Sequence, residues 1–116
     1  MLIRLDALSD APLFEQLASS VRTNIVAGRL HPGDRLPAAR ELAKAVNANV
    51  HTVLRAYQLL RDEGLVELRR GRGAVLTEQS AQMVGLERDI AELVARASAL
   101  GLSPETLTAM VKEAAT

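Results

Sequence analysis

The stretch from Arg35 to Leu76, RLPAARELAKAVNANVHTVLRAYQLLRDEGLVELRRGRGAVL, constrains the fold more than any other part of the chain. Pro37 has the fixed φ that suits a first helical turn, so a helix is predicted from Pro37 or Ala38, with Leu42, Ala43 and Val46 at helical spacing. Asn47-Ala48-Asn49 interrupts that period, and Asn49 is suited to cap a second helix. The second helix carries Val53, Ala56, Leu59 and Leu60 on one face and meets Gly64, a residue type favoured just past a helix C-terminus. Two short helices joined by so brief a turn form a helix-turn-helix, whose second helix can lie in the major groove of DNA. Leu65, Val66 and Leu68 then read as a strand, Arg69-Arg70-Gly71-Arg72-Gly73 as a basic turn, and Ala74-Val75-Leu76 as the returning strand. That hairpin is the expected wing.

The rest of the chain fits around this motif. Leu2-Ile3-Arg4-Leu5 reads either as a short strand or as a frayed terminus. Asp10-Ala11-Pro12 opens a long helix to about Ala27, on which Leu13, Leu17, Val21 and Ile25 fall four apart and form a stripe that needs a partner. Gly28 ends it, and Pro32-Gly33-Asp34 turns the chain toward the helix-turn-helix. One core is expected to join the stripe to Leu36, Leu42, Val46, Val53, Ala56, Leu60, Leu65 and Val75. Past Thr77, the residues Met83, Leu86, Ile90, Leu93, Ala97 and Leu100 alternate three and four apart, the a/d spacing of a heptad, on a helix expected from about Glu78 to Leu100. Gly101 stops it, and Ser103-Pro104-Glu105 starts another helix with Leu107, Met110, Val111 and Ala114 on its apolar face. The expected fold class is mostly α with a small β wing. A winged helix-turn-helix DNA-binding domain over residues 1–77 is followed by a C-terminal two-helix dimerisation hairpin over residues 78–116.

Composition narrows the function. Hydrophobic residues make up 48% of the chain, but Phe14 and Tyr57 are its only aromatic residues, so the core must be aliphatic and, being rich in Leu and Ala, helical. With no cysteine there is neither a disulfide nor a thiolate metal site. Only His31 and His51 are histidines, and no Gly-rich phosphate loop lies between a strand and a helix. No catalytic residues, metal site or cofactor are therefore expected, and an enzyme is disfavoured. No run of residues approaches membrane-spanning length and no signal-peptide apolar region follows Met1, so a cytoplasmic protein is expected. Net charge is zero, yet residues 1–77 hold 11 Lys and Arg against 8 Asp and Glu, while residues 78–116 hold 3 against 6. The basic excess accompanies the helix-turn-helix and wing, as nucleic-acid binding requires.

Several short motifs also occur together. Leu36-Pro37, Arg40-Glu41-Leu42-Ala43, Thr52-Val53, Ala56-Tyr57, Glu63-Gly64-Leu65-Val66 and Gly71-Arg72-Gly73 resemble the winged helix-turn-helix of the GntR transcriptional regulators. The resemblance begins at Pro12-Leu13-Phe14-Glu15-Gln16-Leu17, passes through Gly28-Arg29-Leu30 and Pro32-Gly33-Asp34, and covers residues 10–77 in register. It implies that the first long helix is the scaffold for the two DNA-reading helices. The C-terminal region is too short for the larger effector domains of this family, and its two amphipathic helices resemble the YtrA-like subgroup, in which such a hairpin makes the dimer. The implied function is a sequence-specific transcriptional regulator, most often a repressor, acting as a homodimer on a two-fold double-stranded DNA operator. An alternative from another class is a winged-helix protein-interaction module without DNA readout.

The candidate site residues follow from both lines. Arg40 either pairs with a carboxylate on a solvated face or reaches DNA, where a guanidinium bonds guanine O6 and N7 or a phosphate in bidentate fashion. The resemblance favours DNA. Asn47, Asn49, His51, Thr52 and Arg55 surround the start of the second helix of the motif, the part that meets base edges, although Asn49 serves equally as a cap. Val50 and Leu54 depart from better-known family members, which often carry Arg or Thr near positions 50 and 51 and Arg at the position of Leu54, so no operator sequence carries over. Arg69, Arg70 and Arg72 around Gly71 and Gly73 suit either a narrow minor groove or a solubilising edge. DNA is favoured, with Arg70, Gly71 and Arg72 as the candidate contacts, whereas Glu63 and Glu67 read as structural or solvent-facing. Met83, Leu86, Ile90, Leu93, Ala97, Leu100, Leu107, Met110 and Val111 are the candidate dimerisation residues. The residues name no effector molecule.

Overall fold

A computed structural model describes all residues, Met1–Thr116. In order it contains α1 (Leu13–Val26), α2 (Ala39–Val46), α3 (Val50–Asp62), β1 (Val66–Arg69), β2 (Gly73–Leu76), a 3-10 turn (Glu78–Gln82), α4 (Met83–Ala99) and α5 (Pro104–Ala114). These fall into two compact units, Met1–Val84 and Gly85–Thr116. The 3-10 turn, which lies beyond the division read from sequence at Thr77, packs on α1 and stays with the first unit.

In the first unit the apolar stripe of α1 finds its partner in α3. Leu17, Val21 and Ile25 are buried in one cluster with Leu36, Leu42, Val53, Ala56, Leu60 and Leu65, while Leu13 and Val46 pack partly buried against it. Ala18, Ala43, Tyr57, Val66, Ala74 and Leu76 complete the cluster and were not among the core residues expected from sequence. Each fully buried aliphatic side chain of this kind contributes about 1.5–3 kcal/mol. Tyr57 solves the problem of burying a phenol by donating its hydroxyl to the Pro37 carbonyl at 2.6 Å, which ties α3 to the residues just before α2. Burial pushes its pKa well above the ordinary phenol value, so the donor stays protonated.

The turns are set by a few backbone devices. Asn47 ends α2 in the left-handed conformation, with φ of 55°, and the next amide, that of Ala48, returns to the Ala43 carbonyl at 2.8 Å. Asn49 then caps α3, its side-chain oxygen accepting from the His51 N–H at 2.8 Å. At the other end of α3, Gly64 adopts φ of 79°, and the Leu65 N–H bonds the Leu60 carbonyl at 3.0 Å, which closes the helix and aims the chain into the wing. β1 and β2 pair antiparallel from Val66↔Leu76 to Arg69↔Gly73. The connector before α2 lies along β2, with Arg35 bridging Val75 and the Leu36 N–H bonding the Ala74 carbonyl at 2.8 Å. The base of the wing is thereby held on both sides.

Two expectations need correction. Leu2–Leu5 forms neither a strand nor a frayed end: it is an extended segment bonded to side chains of α1. Asn24 accepts from the Leu2 N–H at 3.0 Å and donates to the Leu2 carbonyl at 2.6 Å, and Ser20 does the same for Arg4 at 3.2 and 2.9 Å. The helix expected from Glu78 also starts later. Ser80 is fully buried and its hydroxyl donates to the Thr77 carbonyl at 2.6 Å, a local side-chain bond that accompanies the tighter 3-10 turn.

The second unit is a helical hairpin. Gly101 ends α4, and Ser103 caps α5 by accepting from the Thr106 N–H at 3.2 Å, with Pro104 at the first helical position. Ala97 is the one buried residue of this unit.

The Asn47 turn yields a stability prediction. Asn47→Ala should lower the free energy of unfolding by about 1 kcal/mol, because a residue with a plain Cβ is strained in the left-handed region. Asn47→Gly should remain close to the parent. Urea denaturation of both variants checks this, and an unchanged midpoint for the Ala variant would show that the turn relaxes without cost.

Candidate nucleic-acid interface

α3 buries Val53, Ala56, Tyr57 and Leu60 and leaves His51, Leu54, Arg55, Gln58 and Arg61 exposed on its other face. Of the residues expected to contact DNA, Arg40, Asn49, His51 and Arg55 are exposed and Thr52 is half-buried. Arg40 is the second residue of α2, and Asn49 opens α3, so both stand at the N-terminal ends of the motif's helices. Asn49 already uses its side-chain oxygen as a cap, which leaves its amide nitrogen as the free donor. Gln58 lies one turn beyond Leu54 on the outward face and was missed in the sequence. The spacing of four from Leu54 and seven from His51 is the signal that finds it.

The arginines of this unit separate into engaged and free groups. Arg22 makes a bidentate pair with Glu63, with Nε to Oε1 at 2.8 Å, which links α1 to the end of α3. Arg61 meets Asp62 at 3.2 Å, and Arg69 meets Glu67 at 2.7 Å. The guanidinium of Arg55 lies over the ring of Phe14, 3.9 Å from its centroid, a cation–π contact between α3 and α1 that sequence spacing did not reveal. Arg40, Arg70 and Arg72 are exposed and enter no ion pair within the chain. At the wing tip Glu67 therefore neutralises Arg69, while Arg70 and Arg72 flank Gly71 with their charges unspent. Glu63 and Glu67 are structural partners, in line with their reading from sequence.

The candidate dimerisation residues lie in different surroundings. Leu86, Ile90, Leu93, Leu100, Met110 and Val111 are exposed, and Leu107 is half-buried. Ala97 is buried, and Met83 belongs to the first unit, where it packs against the core.

This arrangement has counterparts among known proteins. The family model of the bacterial regulatory proteins of the gntR family matches residues 13–76, from the first residue of α1 to the last of β2. The chain belongs to the GntR family. It is 33% identical over 118 residues to the HTH-type transcriptional repressor YtrA of Bacillus subtilis (strain 168), covering 97% of this chain and 91% of that one. Among solved structures it is similar to YtrA from Sulfolobus acidocaldarius, a GntR-family transcription factor, with a TM-score of 0.62 and 34% identity over 78% of this chain and 99% of that one. A GntR family transcriptional regulator from Listeria monocytogenes superposes with a TM-score of 0.66 at 32% identity, covering 94% of this chain and 98% of that one. This GntR protein is thus a DNA-binding transcriptional regulator of the YtrA type and not an enzyme, and the reading as a protein-interaction module without DNA readout gives way. No helix is long and apolar enough to cross a membrane.

Two substitutions test the free arginines. Arg40→Ala should weaken specific DNA binding by about 1–3 kcal/mol with little change in folding, as expected for loss of a bidentate contact. Titration of the operator at matched salt checks it, and parental affinity would remove Arg40 from the interface. Replacing Arg70 and Arg72 together by Ala should lower specific and non-specific affinity in parallel. The slope of log affinity against log salt should also flatten by roughly one to two units. An unchanged slope would place the wing tip away from DNA.

Proposed function

We propose that this GntR protein acts in the cytoplasm as a homodimeric repressor, joined through α4 and α5 and seated on a two-fold operator. In this reading Arg40, Asn49, His51, Thr52 and Arg55 meet the major groove or its phosphates, and Arg70, Gly71 and Arg72 meet the neighbouring backbone. The observation that carries the dimer is the stripe Leu86, Ile90 and Leu93, left 57%, 51% and 42% exposed in the single chain. Met110 and Val111 add a second exposed apolar patch on α5. A unit that buries a single residue cannot be stable on its own apolar burial, and a contiguous exposed face of this kind marks an interface. The heptad spacing suits a second copy of the same helices. The repressor role is supported by the likeness to YtrA of Bacillus subtilis, a transcriptional repressor.

Dimerisation serves DNA binding through effective concentration. One winged helix makes few contacts, and joining two makes the second docking intramolecular, which raises apparent affinity by about 10²–10⁴. Ile90→Asp combined with Leu93→Asp places charge on positions that are solvent-exposed in the single chain, so the protomer should stay folded while the dimer is lost. Sedimentation should report a monomer, and duplexes selected by the parent from a random pool should lose their preference for the paired site over a half-site. A variant that still sediments as a dimer would exclude α4 as the interface. A monomer with parental operator affinity would exclude the two-fold mechanism.

A further inference from the structure

Leu54 is the one large apolar side chain of α1, α2 and α3 that stands exposed, at 41%. Every other large apolar residue of these helices is buried or partly buried, so the exposure is not a general looseness of the core. A polar residue there would leave the fold unaffected and improve hydration. The position is also specific. With 3.6 residues per turn, Leu54 lies one turn from the start of α3, between His51 and Gln58 along the outward face. It is thus among the residues that a recognition helix brings to base edges.

Its neighbours decide what it can recognise. Arg55 is about 100° further round the helix and has its guanidinium drawn onto Phe14 of α1, so that charge sits on the α1 flank. Leu54 lies on the side of the outward face away from Arg55, next to Tyr57, which is buried with its hydroxyl fastened to Pro37 just ahead of α2. His51 and Gln58 flank it along that face, but the Leu54 side chain itself offers neither donor nor acceptor. In the major groove the edge of a standard base that rewards such a surface is the 5-methyl group of thymine. We propose that Leu54 is a specificity-determining residue that reads a thymine methyl in each half-site of the operator, an inference that rests on the DNA-binding reading above.

The test removes only the methyl group. In duplexes selected by the full-length protein, each thymidine is replaced in turn by deoxyuridine, which keeps the O4 acceptor and the base pairing. For the parent, one thymine position per half-site should show a loss of roughly fourfold in affinity, the equivalent of one buried methyl. Leu54→Ala, an exposed position with an excellent helix former, should fold normally, bind the thymine duplex less tightly, and show no further loss with deoxyuridine at that position. The coupling between the two changes is what a merely structural leucine cannot produce. Equal deoxyuridine sensitivity of parent and variant at every position overturns the proposal while leaving DNA recognition intact. Failure to select any duplex removes the DNA-binding reading and this inference together.

Discussion

Burial of the α1 stripe against α3 is the constraint from which the rest of the first unit takes its geometry. Leu17, Val21 and Ile25 enter one cluster with Val53, Ala56 and Leu60, so the inward face of α3 is fixed by what α1 offers. The outward face follows by the helical period alone. His51, Leu54, Arg55 and Gln58 point away from the core because, three and four places apart, they share the face opposite Val53, Ala56 and Leu60. Two side-chain contacts reinforce the seam at its ends, Phe14 with Arg55 and Arg22 with Glu63. The ion pair is about one-third exposed, so its contribution is small, about 0.5–1 kcal/mol, and its value lies in register rather than strength.

Polar groups inside this unit are fully accounted for, since no buried side-chain nitrogen or oxygen lacks a hydrogen-bond partner. Asn24 carries the heaviest load. It exchanges bonds with the Leu2 backbone, donates to the Ser20 carbonyl at 2.7 Å, and accepts from Arg29 Nε at 2.8 Å. One buried amide thus joins the N-terminal segment, α1 and the start of the connector. The same connector braces β2, so wing and scaffold share a continuous set of backbone and side-chain bonds.

The fold was legible where local chemistry and long-range packing agree. The period of α1, the Asn49 cap, the Gly64 terminus and the Arg/Gly hairpin each announce themselves within a few residues, and each is present at its expected place. What stayed hidden depends on partners far away in sequence. Ser20 and Asn24 look like ordinary solvated helix residues until the Leu2–Arg4 backbone is laid against them. Nothing near Tyr57 in the sequence shows that the Pro37 carbonyl will accept from its buried hydroxyl. Arg55 reads as a free cation, because nothing within α3 shows that Phe14 lies beneath it. At the candidate interface the free arginines Arg40, Arg70 and Arg72 were legible, but the pairing that removes Arg69 from their number appears only once β1 brings Glu67 alongside.

In the proposed DNA-bound arrangement, that last pairing would bear on how long the protein lingers on the wrong sequence. A chromosome offers about 10⁶–10⁹ competing non-specific sites, and each wing cation adds to the hold on all of them alike. By answering Arg69 with Glu67, the hairpin keeps two unpaired positive charges at its tip rather than three. With the wing tip seated on DNA as proposed, the pull toward any backbone would be weakened a little, and the dwell time at each irrelevant stretch would shorten with it. In that arrangement a carboxylate that touches no base would quicken the search for the bases that matter.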